Sequence, residues 1–308
     1  QRARGSGGAG RAAARPYGML WAIFFIVFLI LWSVAYAAMP AVRFVGHRLA
    51  RLVARSSRVQ KFVSARKAYM PVVLIVVAGG LLAAWAGDGF IDLAERVRAE
   101  TPALRKIDSG VHDWAVSHRS AGDTLFFVVM STVGGPLGLA VLVAIVAGVL
   151  AIRRRWSWVI YLAVTTGGCA LLNMELKRYF GRARPAVAEM LRRAHGYSFP
   201  SGHAMGSAVA FAALAYLAYR AARSWSAAAA ALALGATLIA SVALSRVYLG
   251  VHWISDVAAG ITAGLVWVTF TTVAYETLRR IRRLRELRRH PPSAPSAAST
   301  GPAPSARL

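Results

Sequence analysis

The feature that most restricts this chain is a series of uncharged apolar runs, each about as long as a bilayer is thick. They fall at residues 17–39, 71–87, 124–151, 156–175, 204–222, 227–245 and 253–275. A membrane-crossing helix needs roughly 20 predominantly apolar residues. The pattern therefore predicts an all-α fold, a polytopic membrane helix bundle of six core transmembrane helices with an extra N-terminal helix. The run at 71–87 is the shortest and contains Gly79 and Gly80, but Pro71 suits a helix start. With 57% hydrophobic and 16% charged residues among 308, soluble globular and disordered classes are both excluded. No repeat at a fixed period is visible, which sets aside solenoids and propellers.

The charges say which way the helices point. Lys and Arg total 37 against 12 Asp and Glu, a net charge of +25. Beside spans of this length the surplus points to a bilayer with an anionic inner leaflet, not to nucleic acid, because the arginines sort by membrane side instead of forming one stripe. Residues 43–67, Arg153 to Arg155, Arg220 with Arg223, and the seven arginines of 279–289 share one side. Basic residues are retained in the cytoplasm, so the other side, with segments 88–123, 176–203 and 245–252, is expected to be periplasmic or otherwise extracytoplasmic. An Ala- and Arg-rich composition points to a bacterial inner (plasma) membrane. One inconsistency is that the first run, if it crosses once, leaves the Arg-bearing N-terminus outside. Its apolar stretch is longer than a secretory signal would need. Residues 41–66 alternate Val45, Leu49, Leu52, Val53, Val59 and Phe62 with arginines and are expected to form an amphipathic helix on the inner leaflet. Cys169 has no second thiol to pair with and reads as a small buried hydrophobe.

Polar residues held near hydrocarbon cost free energy and are the informative ones. Three clusters qualify, all on the expected outer face: Lys177 to Pro185, Tyr197 to His203, and Ser245 to Asp256. Lys177, Arg184 and Arg246 offer one point charge and two planar forks, which suits a phosphate-like oxyanion. Ser201 and the amides of Gly202 and His203, at a helix start, would add donors to the same anion. The cradle needs no metal, and no other cofactor is called for. His252 and Asp256 lie four apart, so on a helix they would share a face, with the carboxylate orienting one imidazole nitrogen. Asp256 is the only acid between Glu189 and Glu276 and requires a partner at this depth. His203 would come from another helix as proton donor and acceptor. Spacing alone does not choose the nucleophile, although the carboxylate at the fourth position leans toward His252. Arg178, Arg182, Arg192 and Arg193 read as headgroup contacts, and Gly167 and Gly168 as helix-packing positions.

Lys177 followed by six residues and Arg184-Pro185, then Pro200-Ser201-Gly202-His203, then Ser245-Arg246 with five residues to His252 and three to Asp256, resembles the three-part signature of the type 2 phosphatidic acid phosphatase superfamily. The resemblance spans 177–256, and the apolar pattern of the six-helix membrane branch covers about 71–275. It implies a lipid phosphate phosphatase acting on a phosphomonoester or pyrophosphate of a membrane lipid: phosphatidic acid, phosphatidylglycerophosphate, undecaprenyl pyrophosphate or a lipid A-like glycolipid. It implies His252 as nucleophile forming a phosphohistidine, Asp256 as its orienting carboxylate, and His203 as acid and then base. Lys177, Arg184, Ser201, Gly202 and Arg246 would hold the phosphate, and divalent metal would not be required. The expected division is a disordered basic tail at 1–16, an accessory segment at 17–70, the phosphatase core at 71–278 and a basic, then Pro/Ser/Ala-rich cytoplasmic tail at 279–308. Two other readings remain. A vanadate-dependent haloperoxidase shares the cradle, but those relatives are soluble. A non-catalytic lipid phosphate binding or transport protein would not need the signature intact.

Overall fold

A computed structural model describes residues 19–55, 70–186, 188 and 190–289. Among the described residues there are helices and no strands: α1 (Met19–Arg55), α2 (Met70–Arg98), α3 (Pro102–Ser117), α4 (Ala121–Val133), α5 (Pro136–Ile152), α6 (Trp156–Phe180), α7 (Gly202–Ala221), α8 (Trp225–Tyr248) and α9 (Ile254–Arg289). Long apolar stretches within α1, α2, α6, α7, α8 and α9 are each long and apolar enough to cross a membrane, and α4 with α5, a bent pair, reaches that length together. This is the expected six-helix core with one N-terminal addition. The expected tail at 1–16, residues 290–308 of the expected tail at 279–308, and residues 56–66 of the basic segment lie outside the described residues.

Three local outcomes differ from the sequence reading. The run at 124–151 is two helices bent by 54° at Gly134-Gly135. Pro136 has no amide to donate and starts α5, while a side chain at Gly134 would collide with Val242 of α8. Residues 41–55 continue α1 straight through Pro40 instead of forming a separate surface helix. A proline costs a membrane helix one backbone bond without ending it. The segment 88–123, expected only as a connection on the outer face, is largely helical. It completes α2 and supplies α3, whose buried stripe Leu104, Asp108, His112 and Ala115 follows the helical period and so occupies one face.

The bundle is organised around α9, which packs against α2 and α7, while α8 pairs with α7, α1 and α4. Lipid tails are as apolar as leucine, so helices here associate through close packing of small residues. Gly260 and Gly264 on α9 are such positions: a Cβ at Gly260 would sit 2.6 Å from the carbonyl oxygen of Ser201, and one at Gly264 would sit 3.0 Å from the Met205 carbonyl. Gly168 does the same for Trp267, whose indole donates to the Thr165 carbonyl at 2.7 Å. Gly167, expected to play that part too, meets no neighbour within 4 Å. Buried Leu162, Met205, Val209, Ala263 and Val268 fill the centre between α6, α7 and α9.

The two ends of the bundle are chemically different. At one end α6 and α8 finish and α7 and α9 begin, with α3 beside them. Phe199, fully buried, stacks on Phe90 and meets Phe180 edge-on there, which pins the connection before α7 to the ends of α2 and α6. At the other end stand Arg153 to Arg155, Arg220, Arg223 and the basic extension of α9, with Glu276 held by Tyr216, Arg220 and Arg279. Trp21 of α1 lies against Phe126, whereas Trp32 donates to the Ser226 carbonyl, so α1 enters at the first end and leaves at the second.

The glycine contact yields a stability prediction. Gly260→Ala should lower unfolding stability in detergent by about 1–3 kcal/mol, because an added methyl must displace backbone in a packed interface. Gly80→Ala, at a position with nothing within 4 Å, should leave the same unfolding curve unchanged.

Candidate active site

Each of the three polar clusters is shaped by a helix terminus. α6 ends at Gly181, whose left-handed backbone (φ 58°) lets its amide close on the Lys177 carbonyl. The chain then turns back past Arg182 and Arg184. Ser201 caps α7, with its Oγ accepting from the Ala204 amide, and its own amide donates to the Asp256 carbonyl at 2.9 Å. After α8, Gly250 (φ 72°) makes the turn that delivers His252, and the Val251 amide folds back on the Arg246 carbonyl. Asp256 sits in the first turn of α9. His252 precedes that helix, so the pair does not share a helical face as its spacing predicts. The carboxylate meets the imidazole across a helix entrance instead: Asp256 Oδ2 lies 3.4 Å from His252 Nδ1 and accepts the Trp253 amide at 3.0 Å.

These elements converge on one cavity of about 740 Å³, lined at its polar end by Lys177, Arg184, Gly202, His203, Arg246 and His252. His252 is almost fully buried and Asp256 lies behind it with no exposed surface. Ser201 is not on the cavity wall. It is fully buried, and Gly202 and His203 are the residues of that motif that face the space. His203 is reached by the break in the third span, where a Cβ on Gly135 would stand 3.2 Å from its Nε2. Arg246 is 5% exposed, is bonded through Nη1 to Ser131, and leaves its buried Nε without a partner. A buried donor left unsatisfied costs about 1–3 kcal/mol, which a bound oxyanion would recover.

Arg184 is the most connected group in the site. Its guanidinium donates to the carbonyls of His195, Gly196, Tyr197 and Val251, and Nη1 also reaches His252 Nε2 at 3.0 Å. Because a guanidinium can only donate, Nε2 is the acceptor and the His252 proton sits on Nδ1, toward Asp256 and Ser198 Oγ at 3.3 Å. The lone pair of Nε2 thus points into the cavity. Lys177 Nζ bonds the Tyr197 carbonyl at 2.6 Å. Burial pushes His252 down from 6.5 to about 4, against the opposing pull of Asp256, and burial lowers Arg184 as well. What results is a neutral, oriented imidazole nitrogen among cations that attract an anion.

The structure also brings in residues that the sequence did not single out. Arg182, read as a headgroup contact, turns inward and bonds Asp256 Oδ1 at 2.6 Å and Asp108 Oδ2 at 2.7 Å. Ser198 donates to Asp256 Oδ2. The available signal for Asp108 was its place beside His112 on the apolar stripe of an amphipathic helix. Arg178 and Arg192 do stay outside, on Glu175 and Thr132, whereas Arg193 joins the cavity wall.

The tautomer and the depressed imidazole can be checked directly. In the folded protein ¹⁵N-histidine NMR should show His252 as the neutral Nδ1–H form at pH values well below 6.5, with protonation setting in near 4. An unfolded chain takes up that proton around 6.5, so the His252 contribution destabilises the folded state progressively as pH falls from 6.5 toward 4 and is absent above 6.5. Unfolding of His252→Gln should therefore depend less steeply on pH across that window than unfolding of the wild type.

Comparison with known proteins agrees with this geometry. The sequence model of the PAP2 superfamily matches residues 157–280. Phosphatidylglycerophosphatase B of Bacillus subtilis is 32% identical over 178 residues, 57% of this chain and 86% of that protein. An Escherichia coli protein named "Putative undecaprenyl-diphosphatase YbjG" is 29% identical over 141 residues, 44% of this chain and 67% of its own. The crystal structure of a transmembrane PAP2 type phosphatidylglycerolphosphate phosphatase from Bacillus subtilis superposes with a TM-score of 0.59 at 27% identity, over 65% of this chain and 99% of that one. With its multi-pass helical fold and its cationic, histidine-bearing cavity, the chain belongs to the PAP2 superfamily and is a membrane phosphatase.

Proposed function

We propose that this phosphatase removes phosphate from a membrane lipid, a phosphomonoester or pyrophosphate such as phosphatidylglycerophosphate, undecaprenyl pyrophosphate or phosphatidic acid, through a phosphohistidine on His252. The observation that carries this reading is the two-ended cavity. Its polar end holds Lys177, Arg184, Arg246, His203 and His252 Nε2, the acceptor of the Arg184 Nη1 bond. Its other end runs between α5, α6 and α7 along Leu139, Val143, Gly167, Cys169 and Val209. From Lys177 to Thr166 on α6 is eleven residues, or about 16 Å at 1.5 Å per residue, enough to shelter part of an acyl or prenyl chain.

The mechanism follows from the placements. The substrate phosphate displaces Arg184 from His252 Nε2 and takes donors from Lys177, Arg184, Arg246 and the start of α7. Nε2 attacks phosphorus, the bond to the lipid-side oxygen breaks, and His203 gives that oxygen a proton. The phosphorylated ring is cationic, and Asp256 stabilises it through Nδ1–H. Water then loses a proton to His203 and attacks phosphorus. The phosphorus–nitrogen bond breaks and inorganic phosphate leaves. Side-chain cations do the charge stabilisation, and among the described residues no three His, Cys, Asp or Glu side chains converge as a metal site. We assign the catalytic unit to residues 71–278, with 17–70 as an accessory segment, and the site end to the periplasmic side of an inner membrane, because Arg153 to Arg155, Arg220, Arg223 and the arginines of 279–289 gather at the opposite end.

Two experiments test this. Phosphate release in detergent with EDTA should proceed on at least one of the three lipids. His252→Ala should reduce it on the order of 10³-fold or more, and His203→Ala by roughly 10²- to 10⁴-fold. An EDTA-sensitive activity, or an active His252→Ala protein, would remove the mechanism. For topology, a cysteine at exposed Ser109 should react with a membrane-impermeant maleimide on intact cells, and one at exposed Arg154 should not.

A further inference from the structure

We propose that Asp108 and Arg182 are positioning residues for the reaction: together they fix the direction and the charge of Asp256, and through it the nucleophile. This rests on the reading of His252 as nucleophile. Asp256 Oδ1 accepts from Arg182 Nη1, while Oδ2 serves His252, Ser198 and the Trp253 amide. Arg182 therefore occupies the oxygen that faces away from the imidazole and decides the rotation that leaves the other oxygen turned toward it. Its second arm is held by Asp108 Oδ2, and both bonds are 2.7 Å or shorter.

The surroundings make this chain rigid. Side-chain exposure is 17% for Arg182, 3% for Asp108 and 0% for Asp256. By contrast, the surface pair of Arg96 with Asp92 is more than half exposed on both sides and contributes little. Ser255 ties the ends together: its amide and hydroxyl donate to Asp108 at 3.1 and 2.7 Å, and its hydroxyl oxygen accepts from Arg182 at 2.7 Å. The Trp253 ring covers Arg182 at 5.9 Å and is itself flanked by the ring of His112 at 5.5 Å. In this way α3 is fastened to the first turn of α9, where the catalytic carboxylate sits.

The charge balance explains why two carboxylates are needed. Arg182 alone would neutralise Asp256 and leave nothing to offset the imidazolium that forms on phosphorylation. With Asp108 present the trio keeps one net negative charge beside Nδ1–H in a low-dielectric site, where such a charge acts strongly.

The test uses the full chain in detergent with phosphatidylglycerophosphate as probe, reading kcat and KM separately and checking folding by thermal melting. Asp108→Asn, which keeps the side-chain shape, and Arg182→Gln should each lower kcat roughly 10- to 100-fold with KM changed less than about twofold, the range typical of residues that orient a reacting group. Arg182→Lys should recover part of the loss. The double variant should be no slower than Arg182→Gln alone, since Asp108 acts through Arg182. A folded Asp108→Asn protein with wild-type kcat, a loss confined to KM, or singles whose losses multiply in the double variant would overturn the proposal while His252→Ala remained inactive. Full activity in His252→Ala would overturn the nucleophile assignment and this relay with it.

Discussion

Asp256 is a carboxylate with no exposed surface at the first turn of a membrane helix, and a charge so placed survives only if its surroundings neutralise and hydrogen-bond it. Meeting that demand shapes the whole site end. Arg182 supplies the opposite charge, Ser198 and the Trp253 amide supply donors, and His252 supplies the imidazole that the carboxylate orients. The loop after α6, the approach to α7 and the turn between α8 and α9 are therefore held to one another through a single side chain. The Ser201 amide, which also donates to the Asp256 backbone, extends the same tie to the start of α7.

The cavity answers a second requirement, that a strongly hydrated phosphate and a water-avoiding chain be handled by one enzyme. Cations at the polar end stand in for the water that the phosphate gives up, and they do so with donors already aimed, so little reorganisation is needed during reaction. The apolar continuation between α5, α6 and α7 lies where the third span breaks at Gly134-Gly135 and restarts at Pro136. A straight helix there would not carry its backbone so close to His203.

Much of this was legible in the chain. Span length and charge placement show the candidate spans and the end at which the polar clusters gather, since hydrocarbon thickness and helix rise leave few alternatives. Lys177, Arg184, Gly202, His203, Arg246 and His252 line one cavity because each lies at the same end of its span. The misreadings have physical causes as well. Arg182 resembles its neighbours Arg178 and Arg184 in sequence, and only the fold shows that one points to the surface, one to the cavity and one to a pair of buried acids. The helical stripe marks Asp108 as buried but does not name its partner, which is 74 residues away. Ser201, a phosphate donor by sequence, is fully buried off the cavity wall, with its Oγ accepting from the Ala204 amide as the cap of α7.

What the sequence determined by itself is the set of constraints that act locally or along the membrane normal: which segments must be helices, where they stop, and which charges cannot lie in lipid. Those follow from residue-level free energies of transfer and from backbone hydrogen bonding, and need no knowledge of neighbours. Tertiary structure decided everything that depends on who the neighbour is. It chose which nitrogen of His252 carries the proton, which oxygen of Asp256 faces it, and which arginine turns inward, because hydrogen bonds and ion pairs fall off within a few ångströms and only the packed bundle brings their partners that close.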